Sequence, residues 1–334
     1  MPDLRFGILG TGNIARQFAQ GVAGSARSTC VAVGSRRQQT ADAFAENHSL
    51  PAAYSSYDEL LADKDVDAVY ISLPNSEHHR WTLAALNAGK HVLCEKPLAV
   101  STNEAAEMFD TADRCGKLLV EAFMHRSHPL THAYMQAIRD GQIGTVKLVR
   151  ASFCYAVGST ENNIRFDADL AGGAIMDIGC YCLDFARMVV GEDPTALHGV
   201  GHVHDTGVDD YAAATLRFPG GAVATLTCGM TVQATNAALV GGDQGHLTVP
   251  IPWKPPTQNA TFILDGQIKP KQDTTAPQRQ RQEITVDAHG PLYGMEADDF
   301  AAAVQDGAEP RVTRADSMGN MKWLAAWRDQ VVAG

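Results

Sequence analysis

From Leu4 to about Ala122 the chain alternates short apolar runs with helical patterns, and this alternation limits the fold more than any other feature. Successive strands joined through a helix return to the same sheet in parallel, by right-handed crossovers. Strands are expected at Arg5 to Leu9, Thr29 to Gly34, Ala68 to Leu73, His91 to Glu95 and Leu118 to Ala122. Helices are expected at Asn13 to Ala23, Gln38 to Asn47, Ser76 to Ala88 and Thr102 to Cys115. Ser101 is placed to cap the last of these, and Gly89 to end the third in a left-handed conformation. Residues 1–122 therefore read as an α/β domain with a doubly wound parallel sheet, the dinucleotide-binding Rossmann arrangement.

After Ala122 the texture changes. Helices are expected at Leu130 to Asp140 and Gly172 to Val190, with a strand from Thr145 to Phe153 between them. Alternating segments follow at Leu197 to His204, Tyr211 to Phe218, Ala222 to Thr231, Ala237 to Val240, His246 to Val249 and Thr261 to Leu264. Pro219-Gly220-Gly221 marks a hairpin turn. This spacing predicts an open, mainly antiparallel sheet, so residues 123–334 read as an α+β domain for substrate binding and dimerisation. Pro250 to Gln282, rich in Pro, Gln and Lys, reads as a partly irregular surface excursion. The closing helices, Glu296 to Gln305 and Arg314 to Val331, are expected to pack back on the rest.

Length and composition agree with two soluble domains. At 334 residues the chain exceeds the size of one ordinary hydrophobic core. It is 45% apolar and 19% charged, which excludes extended disorder. A net charge of −11 argues against nucleic-acid partners, whose phosphates demand a basic face. No leader-like segment precedes the strand ending at Leu9, and no apolar run is long enough for a bilayer, so a cytoplasmic location with no membrane partner is expected. Seven scattered cysteines without a C-x-x-C pair argue against a disulfide framework and a zinc site, leaving buried free thiols.

Gly10-Thr11-Gly12-Asn13-Ile14-Ala15 carries G-x-G-x-x-A between a predicted strand and a predicted helix. Gly10 permits the tight turn, Gly12 lets a pyrophosphate approach the backbone, and Ala15 allows close helix–strand packing. The helix N-terminus offers its amides to the anion. The competing reading is a glycine-bearing turn that binds nothing. At the end of the second strand, where a carboxylate would hold the ribose 2′-hydroxyl of NAD, the chain reads Gly34-Ser35-Arg36-Arg37. One hydroxyl and two guanidinium groups suit a 2′-phosphate, which favours NADP(H) over NAD(H). A solvated turn is the alternative.

Cys94-Glu95-Lys96-Pro97 closes the strand His91 to Glu95 at the carboxyl edge of the sheet, where open α/β folds bind ligands. Lys96 there can donate to a substrate oxygen and stabilise charge developing on it. Glu95 is placed to orient or pair with a cation. If the segment led by Gly172 and Gly173 is helical, Asp177 and Tyr181 lie four apart on one face. A phenol near pKa about 10 is a poor base unaided, so a neighbouring ammonium such as Lys96 would be needed to tune it. The plainer readings are an exposed strand-end lysine and a tyrosine packed beside Asp177. Arg165 and Asp167 are candidates for sugar hydroxyls, although a salt bridge within the loop is the stronger expectation. His202, His204 and Asp205 alternate along one strand with no further ligand, so no metal is expected.

Taken together, the Gly-rich loop, Pro74-Asn75-Ser76-Glu77-His78, Ala88-Gly89-Lys90-His91-Val92, Glu95-Lys96-Pro97 and the Asp177 segment resemble the glucose-fructose oxidoreductase/inositol dehydrogenase (Gfo/Idh/MocA) family over essentially the whole chain. Tyr181 stands where many members carry His. That departure resembles the branch with dimeric dihydrodiol dehydrogenase, NADP-dependent D-xylose dehydrogenase and glucose-fructose oxidoreductase. The stretch Glu121 to Pro129 points to the same branch. The resemblance implies a catalytic Lys96–Tyr181 pair with Asp177 orienting it. It also implies that Leu73, Pro74, Asn75 and His78 flank the cofactor, that Arg126 lines the substrate region, and that the open sheet face mediates a homodimer. The resulting expectation is hydride transfer between NADP(H) and an oxygen-bearing carbon of a small sugar, polyol or dihydrodiol. The rival is a non-catalytic NADP-binding sensor on the same fold.

Overall fold

A computed structural model describes residues 3–266 and 281–333 of the chain. Two compact units emerge: residues 1–127 with 289–321, and residues 128–288 with 322–334.

In the first unit six parallel strands form one sheet: β1 (Leu4–Leu9), β2 (Ser28–Gly34), β3 (Ala52–Tyr54), β4 (Ala68–Ile71), β5 (His91–Glu95) and β6 (Leu119–Ala122). Their spatial order is β3-β2-β1-β4-β5-β6. The chain runs outward from β1 to one edge, then restarts beside β1 with β4, so the strand order reverses between β1 and β4. Such a reversal leaves a crevice at the carboxyl ends of the strands. Helices α1 (Asn13–Val22), α2 (Gln38–His48), α3 (Tyr57–Ala62), α4 (Asn75–Asn87) and α5 (Thr102–Cys115) make the crossovers. The expected parallel sheet is present with two additions. β3 and α3 were missing from the sequence reading because three and six residues are too short to show a period. β3 is an edge strand held by pairing with β2, and α3 starts where the Ser56 hydroxyl accepts the Glu59 amide.

The apolar faces of these elements meet in a chain of aromatic rings. Phe18 on α1 stacks on Tyr70 of β4 at 3.6 Å. Phe6 of β1 meets Phe18 edge-on at 5.3 Å. Phe300 approaches Phe6 at 5.7 Å and brings in residues 289–321.

The second unit contains α6 (Pro129–Arg139) and an eight-stranded sheet. Its strands are β7 (Val146–Cys154), β8 (Ala196–Val203), β9 (Asp209–Arg217), β10 (Val223–Gly229), β11 (Ala238–Gly242), β12 (Gly245–Val249), β13 (Ala260–Gly266) and β14 (Arg281–Val286). The order is β14-β13-β12-β11-β7-β10-β9-β8, antiparallel throughout except where β7 and β10 run parallel. Helix α7 (Cys180–Val190) lies on the face carrying Val149, Ala151, Leu226 and Cys228. The Pro219-Gly220-Gly221 turn joins β9 to β10, with Gly221 at φ 84° and Phe218 N–H donating to the Ala222 carbonyl. Of the expected excursion from Pro250 to Gln282, residues 267–280 lie outside the described residues, and β13 interrupts the rest. β14 escaped the sequence reading because Arg281-Gln282-Glu283 breaks the apolar alternation; its register comes from β13.

The chain closes with α8 (Leu292–Asp306) and α9 (Arg314–Ala333). α8 crosses α1 with Gly21 and Gly294 at the contact, and a Cβ on Gly294 would sit 2.5 Å from the Gly21 carbonyl.

The ring chain makes a stability prediction. Phe18 is fully buried, so Phe18→Ala is expected to cost about 3–5 kcal/mol, read as a lowered midpoint in urea unfolding. A loss under about 1 kcal/mol would mean the rings are not packed as described.

Candidate active site

The carboxyl ends of β1, β2, β4, β5 and β6 share one edge of the first unit, and five candidate segments emerge there. At β1 the chain turns through Gly10, whose φ of +102° is open to glycine at little cost. A Cβ there would also lie 3.2 Å from the Ser72 carbonyl. Gly12 precedes α1, and a Cβ on it would meet nothing within 4 Å, so the backbone at the helix start faces open space. Thr11, Asn13 and Ile14 complete the turn and lie partly or fully exposed. First-turn amides of α1 lack intrahelical partners, which suits a pyrophosphate.

At β2, Ser35 is buried while Arg36 and Arg37 are exposed. Neither guanidinium forms an ion pair with any described residue, so both are free to meet a phosphate. Open backbone at Gly12 and two unengaged guanidinium groups on the next strand thus fit a dinucleotide carrying a 2′-phosphate.

At β4, Leu73, Pro74 and Asn75 form a partly exposed segment leading into α4. His78, on the first turns of that helix, is fully buried and lies 2.8 Å by Nδ1 from the Pro97 carbonyl and 2.9 Å by Nε2 from the Leu73 carbonyl. Burial lowers its pKa, and the Lys96 ammonium pushes the same way, against the two carbonyls. His78 thus ties the segment after β4 to the turn after β5 from beneath.

Lys96 follows β5 and is partly exposed; the Lys96–Pro97 peptide is cis. Glu95 is buried and accepts the Tyr70 hydroxyl, so the ring stack of the core ends on the residue before Lys96. Glu121 of β6 accepts the Leu98 amide at 2.8 Å and fixes the far side of the turn. Arg126, in a 3-10 turn after β6, is buried and forms an ion pair with Asp316 at 3.2 Å.

In the second unit the glycine-led segment departs from the expected helix. Gly172 and Gly173 stay outside it, and a π-helical turn, Ile175–Gly179, precedes α7. Gly173 has φ +114°, which a right-handed helix cannot include, and its flank lies against the Asp209 carboxylate. Asp177 and Tyr181 are therefore separated by a widened turn. Asp177 Oδ2 accepts from Arg165 Nε at 2.7 Å and from the Tyr155 hydroxyl at 2.8 Å. The salt bridge expected within the loop is replaced by one to the π turn: Arg165 pairs with Asp177, and Asp167 closes its own loop by accepting the Asp169 amide. Tyr181 is buried, its ring 5.5 Å from Phe153 and 6.2 Å from Trp253.

Tyr155 and Asp209 were not singled out from sequence. Each lies at the end of a strand, and only the fold brings it to Asp177 or to Gly173. His202 pairs with Asp210 at 2.7 Å and His204 with Thr206 at 3.1 Å. Among the described residues no three His, Cys, Asp or Glu side chains cluster as metal ligands. All seven cysteines are free thiols.

Comparison with known proteins agrees with this architecture. A family profile described as "Oxidoreductase family, NAD-binding Rossmann fold" matches residues 4–123, and one described as "GFO/IDH/MocA C-terminal domain" matches residues 132–248. A D-xylose 1-dehydrogenase (NADP(+)) from Haloferax volcanii is 34% identical over 99% of this chain and 98% of its own. The chain belongs to the Gfo/Idh/MocA oxidoreductase family. A trans-1,2-dihydrobenzene-1,2-diol dehydrogenase of this similarity group, from Mus musculus, is 35% identical over 80% of this chain and 79% of its own. Among solved structures, a 3-ketoreductase from Actinomadura kijaniata in complex with NADP and TDP-benzene aligns with TM-score 0.87 and 31% identity over 98% of each chain. An aldose-aldose oxidoreductase from Caulobacter crescentus, with glycerol, aligns with TM-score 0.87 and 26% identity over 99% of this chain and 98% of its own.

At the opposite, amino end of β5 a half-buried imidazole sets a pH dependence. His91 begins β5 and accepts the Leu118 amide on Nδ1 at 3.0 Å. Burial, aided by Lys117, lowers its pKa from 6.5 to about 4. Between those values the unfolded chain takes up a proton that the folded chain refuses, so stability falls as pH drops through that window. In His91→Asn, which retains an acceptor for the Leu118 amide, the decline measured by urea unfolding is expected to flatten. An unchanged slope would show that His91 does not hold this strand as a neutral acceptor.

Proposed function

We propose that the protein is an NADP(H)-dependent oxidoreductase that interconverts an alcohol and a carbonyl in a sugar, polyol or dihydrodiol. The single observation carrying this reading is the arrangement at the edge of the first sheet. The β1 turn, the free Arg36 and Arg37, and Lys96 all leave the carboxyl ends of neighbouring strands. Lys96 is two strands from the β1 turn, about 10 Å by ordinary strand spacing. The relatives named above act on xylose, a dihydrodiol and a keto group, and two carry NADP in their names or complexes.

When bound, the nicotinamide cofactor would supply the hydride exchange that no side chain can perform. The protein's own residues do the rest. Gly10 to Ile14 hold the pyrophosphate, Ser35, Arg36 and Arg37 the 2′-phosphate, and Leu73, Pro74 and Asn75 line the groove while His78 braces it. Glu95 anchors the strand end from which Lys96 donates to the substrate oxygen, stabilising charge on it. Tyr181 exchanges the proton of that oxygen. Asp177 holds Arg165, whose remaining N–H groups can donate to neighbouring hydroxyls, and Tyr155, whose oxygen can accept from them. Arg126 stabilises the segment after β6 through Asp316. Solved forms of the 3-ketoreductase include a lysine-to-alanine and a tyrosine-to-phenylalanine variant, the residue types proposed here as the catalytic pair.

On this reading the first unit binds the dinucleotide and the second supplies the substrate shell. The outer face of the second sheet presents Leu148, Val200, Tyr211 and Val223 to solvent, which favours a homodimer through that face. Seven cysteines with no disulfide among them favour a reducing compartment such as the cytoplasm.

The test is reduction of NADP at 340 nm across aldoses, polyols and diols. Lys96→Ala and Tyr181→Phe are each expected to lower kcat by a factor of about 10² to 10⁴. Stoichiometric cofactor binding without turnover on any substrate would favour a sensor, and full activity in either variant would remove that residue from the mechanism.

A further inference from the structure

We propose that Asp209 is a positioning residue of the reaction, whose carboxylate clamps the start of the π turn and thereby sets where Asp177 and Tyr181 stand. The inference rests on the reading above for the roles of those two residues.

Asp209 opens β9, is 2% exposed, and its Oδ2 accepts the Ile175 amide at 2.7 Å. Its Oδ1 lies against Gly173, where an added Cβ would come within 2.3 Å of it. Only a glycine fits there, and only a left-handed one delivers the chain to the amides that the carboxylate receives. The neighbouring Asp210 faces the opposite way, accepting His202 Nδ1 and the Thr231 hydroxyl, each at 2.7 Å. One strand start thus sends one carboxylate inward and one outward.

A buried carboxylate is an expensive way to cap a helical turn. An uncharged acceptor would satisfy the Ile175 amide without the desolvation cost. What the charge adds is a strong, directional hold on the first free N–H groups of the helical segment. The segment it holds is also unusual, since π turns are rare and are found frequently at functional sites. Two residues after Ile175 comes Asp177, with Arg165 and Tyr155 attached to it, and the first turn of α7 carries Tyr181.

The groups facing Asp209 are the amides of Ala174 and Ile175, the Arg328 guanidinium of α9 and the Cys228 thiol of β10. Burial outweighs the amides and Arg328 and raises its pKa from 3.8 to about 6. A raised carboxyl pKa means that the folded chain gains stability from the protonated form, and that this contribution is lost as pH rises through about 6. Above that pH the ionised clamp is held at the expense of stability, so its removal should not weaken the fold.

The experiment compares wild type with Asp209→Asn, which keeps size and an acceptor but removes the charge. Thermal stability at neutral pH is expected to be equal or higher. The value of kcat is expected to fall by about ten- to a hundredfold, the penalty of a misplaced reacting group, with KM for NADP unchanged. The wild-type acid limb near pH 6 should disappear from the variant's kcat profile. Unchanged kcat with an intact acid limb would overturn the proposal, as would a parallel loss of stability and kcat, which marks ordinary structural damage. If no substrate is turned over by wild type, hydrogen exchange decides instead. After correction for intrinsic rates, the amides of 174–176 should become more protected as pH falls below about 6 in wild type and show no such dependence in the variant. Identical exchange in both overturns the positioning role independently of the reaction.

Discussion

The left-handed turn at Gly10 is the constraint on which the site-bearing edge depends. β1 lies inside its sheet between β2 and β4, so the chain leaving it has little room. Gly10 donates its amide to the Gly34 carbonyl, while the Ser72 amide and hydroxyl both reach the Leu9 carbonyl. This knits the ends of β2, β1 and β4 together within one residue of the turn. The same geometry brings the open backbone at Gly12, the arginines after β2 and the segment after β4 to one crevice. A crevice with the shape and donors to suit a phosphate follows from strand order and from one dihedral angle, rather than from any single strong contact.

A second set of interactions stiffens the turn that bears Lys96. Glu95 accepts Tyr70, whose ring is stacked on Phe18, so the hydrophobic core is coupled directly to the residue before the lysine. His78 and Glu121 hold Pro97 and Leu98 from opposite sides. Catalytic side chains gain from support of this kind, because a strand end fixed by buried hydrogen bonds loses little entropy when it engages a ligand. In the second unit the equivalent support is electrostatic, through Asp209 at Ile175 and through Arg165 and Tyr155 on Asp177.

Much of this was legible in the sequence where the physics is local. The alternation of β1, β2, β4, β5 and β6 with α1, α2, α4 and α5, the Ser101 cap and left-handed Gly89 follow from periodicity and end chemistry. The G-x-G-x-x-A segment was readable because its context is equally local. What stayed hidden depends on partners distant in the chain. Arg126 pairs with Asp316, His78 joins Leu73 to Pro97, and the π turn exists because Gly173 meets Asp209 from another strand. A straight helix from Gly172 was the natural expectation from spacing alone, and tertiary contact replaced it with a wider turn. The 31% identical ketoreductase and the xylose dehydrogenase relative place the whole fold in one family, but the details of the substrate shell belong to this chain's own loops.

If the edge around Gly10 reads a 2′-phosphorylated dinucleotide through Arg36 and Arg37, the preference for NADPH must reside in those two guanidinium groups. Fluorescence titration of the protein with NADPH and with NADH tests it most directly. The account predicts tighter binding of NADPH by at least about tenfold, or ~1.4 kcal/mol. It also predicts that exchanging both arginines for alanine removes the difference and leaves NADH binding unchanged. Equal affinities in the wild-type protein, or a preference for NADPH that survives loss of both guanidinium groups, would contradict it.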